Sequence, residues 1–260
     1  GAGLLFWFIK SFIKEKVDTK DFPRLMLCGL LGVATNQLFF FHGLNLTSPI
    51  DASIIITAVP IVAVVFGSIL LKEEITRNKL LGITIGGIGA VLLIAYGNQS
   101  EGTSSLLGNL FVFINAIAFG LYLVLVKPLM KKYNSITIVS WVFLFGFVCM
   151  FPFGISDIMN TDFSAFTSQT YLAVAFVIIG TTFLAYLFNT YALNYVSPSV
   201  TGSYIYLQPV VSFIMVSIYA YVLGYSEYAQ DINPVKITSC FLVIIGVYLI
   251  SKTPKKKGVL

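Results

Sequence analysis

Residues 44–60 read LNLTSPIDASIIITAVP, and residues 193–209 read LNYVSPSVTGSYIYLQP. Leu44-Asn45, Ser48-Pro49 and Pro60 return as Leu193-Asn194, Ser197-Pro198 and Pro209, each 149 residues further on. Each copy closes one long apolar segment and opens the next. After a longer second loop, Lys79 and Gly89 find counterparts in Lys236 and Gly246. The chain therefore consists of two related halves.

Around these copies the chain is dominated by apolar runs, near 25–46, 50–71, 78–97, 105–126, 135–155, 170–195, 199–222 and 235–251. Each has the roughly 17–25 residues needed to cross a hydrocarbon layer about 30 Å thick, so eight full spans are expected. The composition agrees: 57% of residues are hydrophobic and 10% charged, against about 25% charged in a soluble domain, with a mean hydropathy of +0.90. The spans must be helices. A barrel would show segments of about ten residues with alternating polarity, and lipid offers the backbone no other partner. An odd number of spans separates the two copies, so they cross the membrane in opposite directions. That inverted arrangement is an architecture of secondary transporters.

Charge sets the expected orientation, because short cytoplasmic loops retain Lys and Arg. One side carries Lys10, Lys14, Lys16, Lys20, Arg24, Lys72, Arg77, Lys79, Lys127, Lys131, Lys132, Lys252, Lys255, Lys256 and Lys257; the other carries only Lys236. The 10–24 loop and the C-terminus are thereby read as cytoplasmic. The net charge of +5 calls for no nucleic-acid partner, since a basic cluster beside a span serves topology and touches anionic headgroups. Gly1–Ile9 is apolar but too short to cross, and it reads as the end of a ninth span cut by the start of the chain. Cys28, Cys149 and Cys240 all fall within spans without CxxC spacing, so neither disulfides nor a zinc site is indicated and no cofactor is expected. The Gly-, Ser- and Thr-rich stretch 97–105 joins the halves without separating them.

The segment 44–97 resembles the helix pair of EamA-type transporters in the drug/metabolite transporter superfamily: a small-residue start, a mid-span proline, a glutamate after the first helix (Glu73 or Glu74) and a Gly-rich second helix. The second copy, 193–250, is similar but has a longer loop, and Glu227 only loosely holds the acidic position. The resemblance implies an all-α polytopic membrane protein of ten helices in two inverted five-helix repeats around a central cavity, exporting amino acids or other small metabolites. Residues 1–97 would then form a first repeat lacking its first helix and most of its second, residues 105–251 the second repeat, and residues 252–260 a cytoplasmic basic tail.

Several motif residues have ordinary structural roles. Ser48-Pro49 with Asp51 is a helix start, with Ser as N-cap, Pro at N1 and an acid near the positive end of the dipole. Pro60 and Pro209 lie about ten residues inside their spans and release the carbonyls of Ile56 and Ile205. Each makes either a fixed bend or a hinge for rocking one repeat against the other. Gly82, Gly86 and Ala90 form a small-xxx-small face for close helix packing, within the chain or in a homodimer. His42, the only histidine, sits a turn from the end of its span and reads as interfacial or as a proton relay.

Polar residues inside spans are costly unless paired or facing a cavity. Thr182, Tyr186 and Asn189 fall at i, i+4 and i+7 of one span, and Gln37 stands at the matching place of Tyr186 in the first half. Asn115 and Tyr122 are seven apart, while Tyr204 and Gln208 are four apart beside Pro209. Thr57 lies beside Pro60. Stripes on several helices point to a shared aqueous cavity, and tyrosine and amide groups suit a neutral or zwitterionic solute, with a coupling proton or ion left open. No acid or base is expected well inside any span, so neither the grip of a nucleotide-sugar carrier nor the buried acid of a multidrug exchanger is visible, although either could lie before residue 1. A membrane-embedded enzyme would need a nucleophile with its base, an acid pair or a metal cluster, and nothing of that kind is read here. A non-transporting structural subunit is the rival from another class. The reading is a multi-pass carrier of a bacterial plasma membrane, with the lipid bilayer and a small-molecule substrate as partners.

Overall fold

A computed structural model describes residues 1–72, 74–96, 105–196, 198, 201, 205, 207–222, 224 and 234–252. The described residues are helical throughout with short connections, and no strand occurs among them. Five helices are long and apolar enough to cross a membrane: Thr19–Leu44, Pro49–Leu71, Leu106–Met130, Ser135–Ser156 and Ser168–Ala192. Each covers one of the apolar runs in the sequence. Arg77–Tyr96 and Pro234–Ser251 occupy two more, and Leu207–Ser217 continues through Ile218–Val222 over the described part of another. The chain is a multi-pass membrane protein by the length and composition of these helices.

Packing divides the chain into two compact units that cut across the sequence halves: Gly1–Leu38 with Leu125–Ser197, and Phe39–Val124 with Pro198–Leu260. In the first, Ser135–Asn160 is the central helix, packed by Ala2–Lys10, by Phe22–Gly29 with its continuation to Thr35, and by Ala185–Ala192. Phe6 is fully buried, its ring 5.0 Å from Phe143 and 4.6 Å from Phe183. Gly29 and Gly146 let two helices touch: a Cβ on Gly29 would fall 2.7 Å from Phe145 Cβ, and one on Gly146 would fall 2.6 Å from Val33 Cγ1. At one end Asp21 receives Lys132 Nζ at 3.0 Å and the Tyr133 hydroxyl at 2.8 Å, and Glu15 accepts the Asn134 N–H at 3.0 Å. The residues of that cluster all belong to the segments the charge pattern assigns to one side.

Two helices of this unit widen in the middle. Leu30–Thr35 and Val177–Leu184 are π-helical, and the 149-residue offset maps the first onto 179–184. Equivalent spans thus carry the same deformation. Such bulges have a turn wider than 3.6 residues and cluster at functional sites. The face that the sequence assigned to Thr182, Tyr186 and Asn189 assumed an unbroken α-helix, so the wide turn shifts Thr182 relative to the other two.

In the second unit, Arg77–Tyr96 and Pro234–Ser251 form the most extensive helix pair. They run antiparallel, since Gly82 meets Ile250 while Gly89 meets Ser239 and Val243. A Cβ on Gly246 would lie 2.5 Å from Gly86 N and 2.6 Å from Gly82 O, so glycine is required for this crossing. The small-residue face is therefore occupied inside the chain. Pro49–Ile56 and Val59–Leu71 are one span interrupted at Thr57 and Ala58. There the backbone tightens to three-residue hydrogen bonds, Thr57 N–H to Ile54 O at 3.1 Å and Ala58 N–H to Ile55 O at 2.9 Å, because Pro60 brings no N–H for Ile56 O. Ile50, Ile54, Ile55 and Val64 pack there with Val216, Val243 and Ile250.

Candidate functional site

The first unit brings Tyr186 together with Gly32 and with Asn36, the chain neighbour of Gln37. Tyr186 is 7% exposed and stands just after the wide turn of its own helix. Its hydroxyl donates to Gly32 O, within the wide turn of the equivalent helix, and lies 3.1 Å from the Asn36 side-chain amide. One hydroxyl has one proton, so Gly32 O and Asn36 Oδ1 share it as acceptors. Phe143 closes edge-on at 4.9 Å. Gln37 and Thr182 are half-buried, and Asn189, also half-buried, donates to Ala185 O at 3.0 Å. At the end of that helix Lys127 Nζ donates to Leu193 O and, at 2.7 Å, to Val196 O, a cation set against the negative pole of a helix. Asn194 donates to Ser135 Oγ at 2.9 Å beside it.

The second unit holds Thr57, Asn115, Tyr122 and Gln208. Thr57 is buried and its hydroxyl returns to Ile54 O within its own helix. Asn115 and Tyr122 are buried on Leu106–Met130, with Phe119 5.7 Å from the Tyr122 ring. Gln208 is exposed. Pro60 is buried just after the interruption. Pro209 is the third residue of Leu207–Ser217, and Tyr204 lies outside the described residues.

A charged cluster that the sequence reading dispersed is assembled in the same unit. Asp51 Oδ1 lies 2.8 Å from Lys236 Nζ, with the two side chains 0% and 2% exposed. Asn109 Nδ2 donates to Asp51 Oδ2 at 3.4 Å, and Thr47 donates to Asn109 Oδ1. The hydroxyl of Thr47 thus fixes which face of the amide Asp51 meets. Ser48 accepts the Asp51 N–H at 3.2 Å, as the helix-start motif predicts. Neither charge lies well inside its span. Asp51 and Lys236 each begin a helix, and tertiary packing buries both ends and pairs them. Their types and positions were legible, but their meeting was not.

A cavity of about 290 Å3, lined by Leu92, Pro234, Val235, Thr238 and Ser239, opens beside the first turns of Pro234–Ser251. None of the sequence-derived site residues lines it. Among the described residues no group of His, Cys, Asp and Glu could hold a metal ion.

The chain matches the EamA-like transporter family over residues 1–95 and 106–252. It is 26% identical over 91% of its length, and 80% of the other's, to an uncharacterized transporter of Archaeoglobus fulgidus. It is also 25% identical to the uncharacterized transporter YyaM of Bacillus subtilis, over 90% of this chain and 75% of that one. A probable terminal-alkyne amino-acid exporter of Streptantibioticus cattleyicolor is 24% identical over 90% of this chain and 74% of its own. A solved crystal structure shares the fold at a TM-score of 0.66 and 17% identity, covering 96% of this chain and 85% of that one. The names of these relatives point to a non-enzymatic role, and with both halves matched the chain belongs to the EamA-like transporter family.

Proposed function

We propose that the protein is a secondary carrier that exports a small neutral or zwitterionic, amino-acid-like metabolite across a bacterial plasma membrane by alternating access. The observation that carries this reading is the set of uncharged polar side chains buried on membrane helices, Asn115 at 4%, Tyr122 at 0% and Tyr186 at 7% exposure, in a chain whose relatives include a probable amino-acid exporter. Buried amides and phenols are expensive in hydrocarbon and are kept where they bond a neighbour or a solute. Gln37, Thr57, Thr182, Asn189, Tyr204 and Gln208 complete the proposed solute contacts. Two inverted five-helix repeats, with Pro60 and Pro209 as hinges, would supply the rocking motion.

Counterflow in proteoliposomes tests this. Vesicles holding the protein and preloaded with unlabelled neutral L-amino acids should accumulate the labelled compound faster than empty vesicles, while sugar phosphates give no exchange. Exchange of sugar phosphates alone would replace the substrate class. Absence of exchange with amino acids, sugar phosphates and lipophilic cations alike would favour a structural subunit.

A further inference from the structure

We propose that the cavity at the start of Pro234–Ser251 is a lipid site: it takes one acyl chain of a bilayer lipid by its ester end, and the Ser239 hydroxyl donates to the ester carbonyl. Two independent observations meet there. The cavity, about 290 Å3, is lined by Leu92, Pro234, Val235, Thr238 and Ser239. Ser239 is 0% exposed, and its buried hydroxyl has no hydrogen-bond partner among the described residues.

A Ser or Thr hydroxyl on a membrane helix ordinarily folds back onto a carbonyl of the preceding turn. Others in the same unit do so: Ser53 donates to Ile50 O at 2.7 Å, Ser68 to Val65 O at 2.7 Å, Thr84 to Leu80 O at 3.1 Å and Thr238 to Pro234 O at 2.8 Å. Ser239 follows Thr238 directly and does not. A buried donor left unpaired among apolar groups is costly, and an acceptor carried into the cavity removes that cost.

The glycines of Arg77–Tyr96 explain why there is space at this level. Gly82, Gly86 and Gly89 let the two backbones touch, and a Cβ on Gly89 would fall 2.9 Å from Ser239 O. One turn further on, Leu92 stands where a glycine would continue the contact, and its side chain holds the helices apart. The resulting walls are apolar and uncharged, which suits an alkyl chain. A water in such a place needs two to four polar partners, whereas the lining side chains bring two hydroxyls, of which Thr238 already donates to its own helix.

Depth in the membrane selects the lipid. Pro234–Ser251 has 18 residues, roughly 27 Å at 1.5 Å each, close to the hydrocarbon thickness of about 30 Å. Ser239 is its sixth residue, and its side chain tilts back toward the helix start. The hydroxyl therefore lies within about two turns of the hydrocarbon boundary, where lipid esters sit. The rim residues Pro234 and Thr238 are exposed, and Val91, the chain neighbour of Leu92, is 65% exposed, so a chain can enter from the side.

The test uses the full chain in vesicles, with a bimane fluorophore on Val91→Cys after the native cysteines are replaced by Ala. A diester phosphatidylcholine brominated near the top of one chain quenches the fluorophore, in a background of either diester or diether phosphatidylcholine of matched chain length. The diether lacks the carbonyls. The apparent association constant of the brominated lipid should be roughly two- to tenfold higher against the diether, the worth of one neutral hydrogen bond. Ser239→Ala should abolish that difference, and Ser239→Thr should restore it. Val235→Phe, which narrows the cavity, should weaken association in both backgrounds. Equal constants in the two backgrounds, or a difference that survives Ser239→Ala, would overturn the proposal. Free ethyl butanoate brings the same ester chemistry without a bilayer lipid and should leave the difference standing; a difference that it abolishes would assign the cavity to a soluble ester and overturn the lipid. None of these readouts needs a transported solute, so counterflow that fails while they succeed leaves the lipid site standing.

Discussion

The hydroxyl of Tyr186 donates to the carbonyl oxygen of Gly32, and so ties together two wide helical turns at equivalent places in the two halves of the chain. A wide turn disturbs the regular ladder of backbone bonds, and a buried carbonyl at such a place needs a donor. Tyr186 provides it from the partner span. Any solute that uses Tyr186 must share or displace this bond.

Tyr186→Phe removes the donor and retains the ring against Phe143. The loss should be about 0.5–1.5 kcal/mol for a neutral hydrogen bond, read as a lower thermal midpoint in detergent and a severalfold weaker apparent affinity in counterflow. Tyr248→Phe is the control, because Tyr248 is 64% exposed and should change neither. Equal effects of the two substitutions would leave the Gly32 bond without a role.

The glycine crossing of Arg77–Tyr96 with Pro234–Ser251 gives a sharper contrast within one unit. Gly246→Val puts a branched side chain where even a Cβ would lie 2.5 Å from Gly86 N. Overpacking of this kind costs about 1–3 kcal/mol or more. A Cβ on Gly87 would meet nothing within 4 Å, so Gly87→Ala should be neutral or slightly stabilising through its better helix propensity. Thermal unfolding by fluorescence-detected size exclusion compares the two; a stable Gly246→Val would mean that this crossing is looser than described.

The helices were legible in the sequence because lipid leaves so few choices. A long apolar run must be a helix, and those spanning 50–71 and 135–155 have counterparts in Pro49–Leu71 and Ser135–Ser156. The wide turns were not legible. Leu30–Thr35 and Val177–Leu184 are apolar like their flanks, and hydropathy carries no record of hydrogen-bond spacing. The Asp51–Lys236 pair escaped for a different reason. Each residue already had a sufficient local explanation, Asp51 as an acid in a first helical turn and Lys236 as the one basic residue off the charged side. What joins them is the packing of distant helices. Thr57, Asn115, Tyr122 and Tyr186 are buried in the packed helices, yet Asn36 rather than Gln37 meets Tyr186, since the wide turn resets the phase on which spacing arguments depend.

Pro60 is the next test, because the interruption at Thr57 and Ala58 has a single visible cause. Pro60→Ala returns a backbone donor to Ile56 O, worth about 0.5–1.5 kcal/mol, and should straighten Pro49–Leu71. Membrane insertion and thermal stability should be kept or improved, while the counterflow rate falls severalfold if the bend works as a hinge. A wild-type rate with normal insertion would reduce the bend to a fixed feature of packing.

The inverted relation of the two halves can be tested at Leu46 and Tyr195, which the 149-residue offset makes equivalent. Both are exposed, at 40% and 72%, each just beyond the end of its span, so a cysteine at either place is open to a membrane-impermeant maleimide, and at Tyr195 the side-chain contact given up is the exposed one with Tyr191. The three native cysteines, of which Cys28 and Cys240 are buried, are first replaced by Ala or Ser. If one copy of the motif runs against the other, Leu46→Cys labels in intact cells and Tyr195→Cys only after the membrane is opened, because the loop at 195 shares its side with Lys127 and the basic segments. Lys127 already bonds Leu193 O and Val196 O, which sets the end of that helix beside the basic loop 131–134 within its own unit. Labelling of both cysteines from the same side would require an even number of crossings between them and would end the inverted-repeat reading, whereas opposite sides with the order reversed would keep the repeat and overturn only the cytoplasmic placement of the C-terminus.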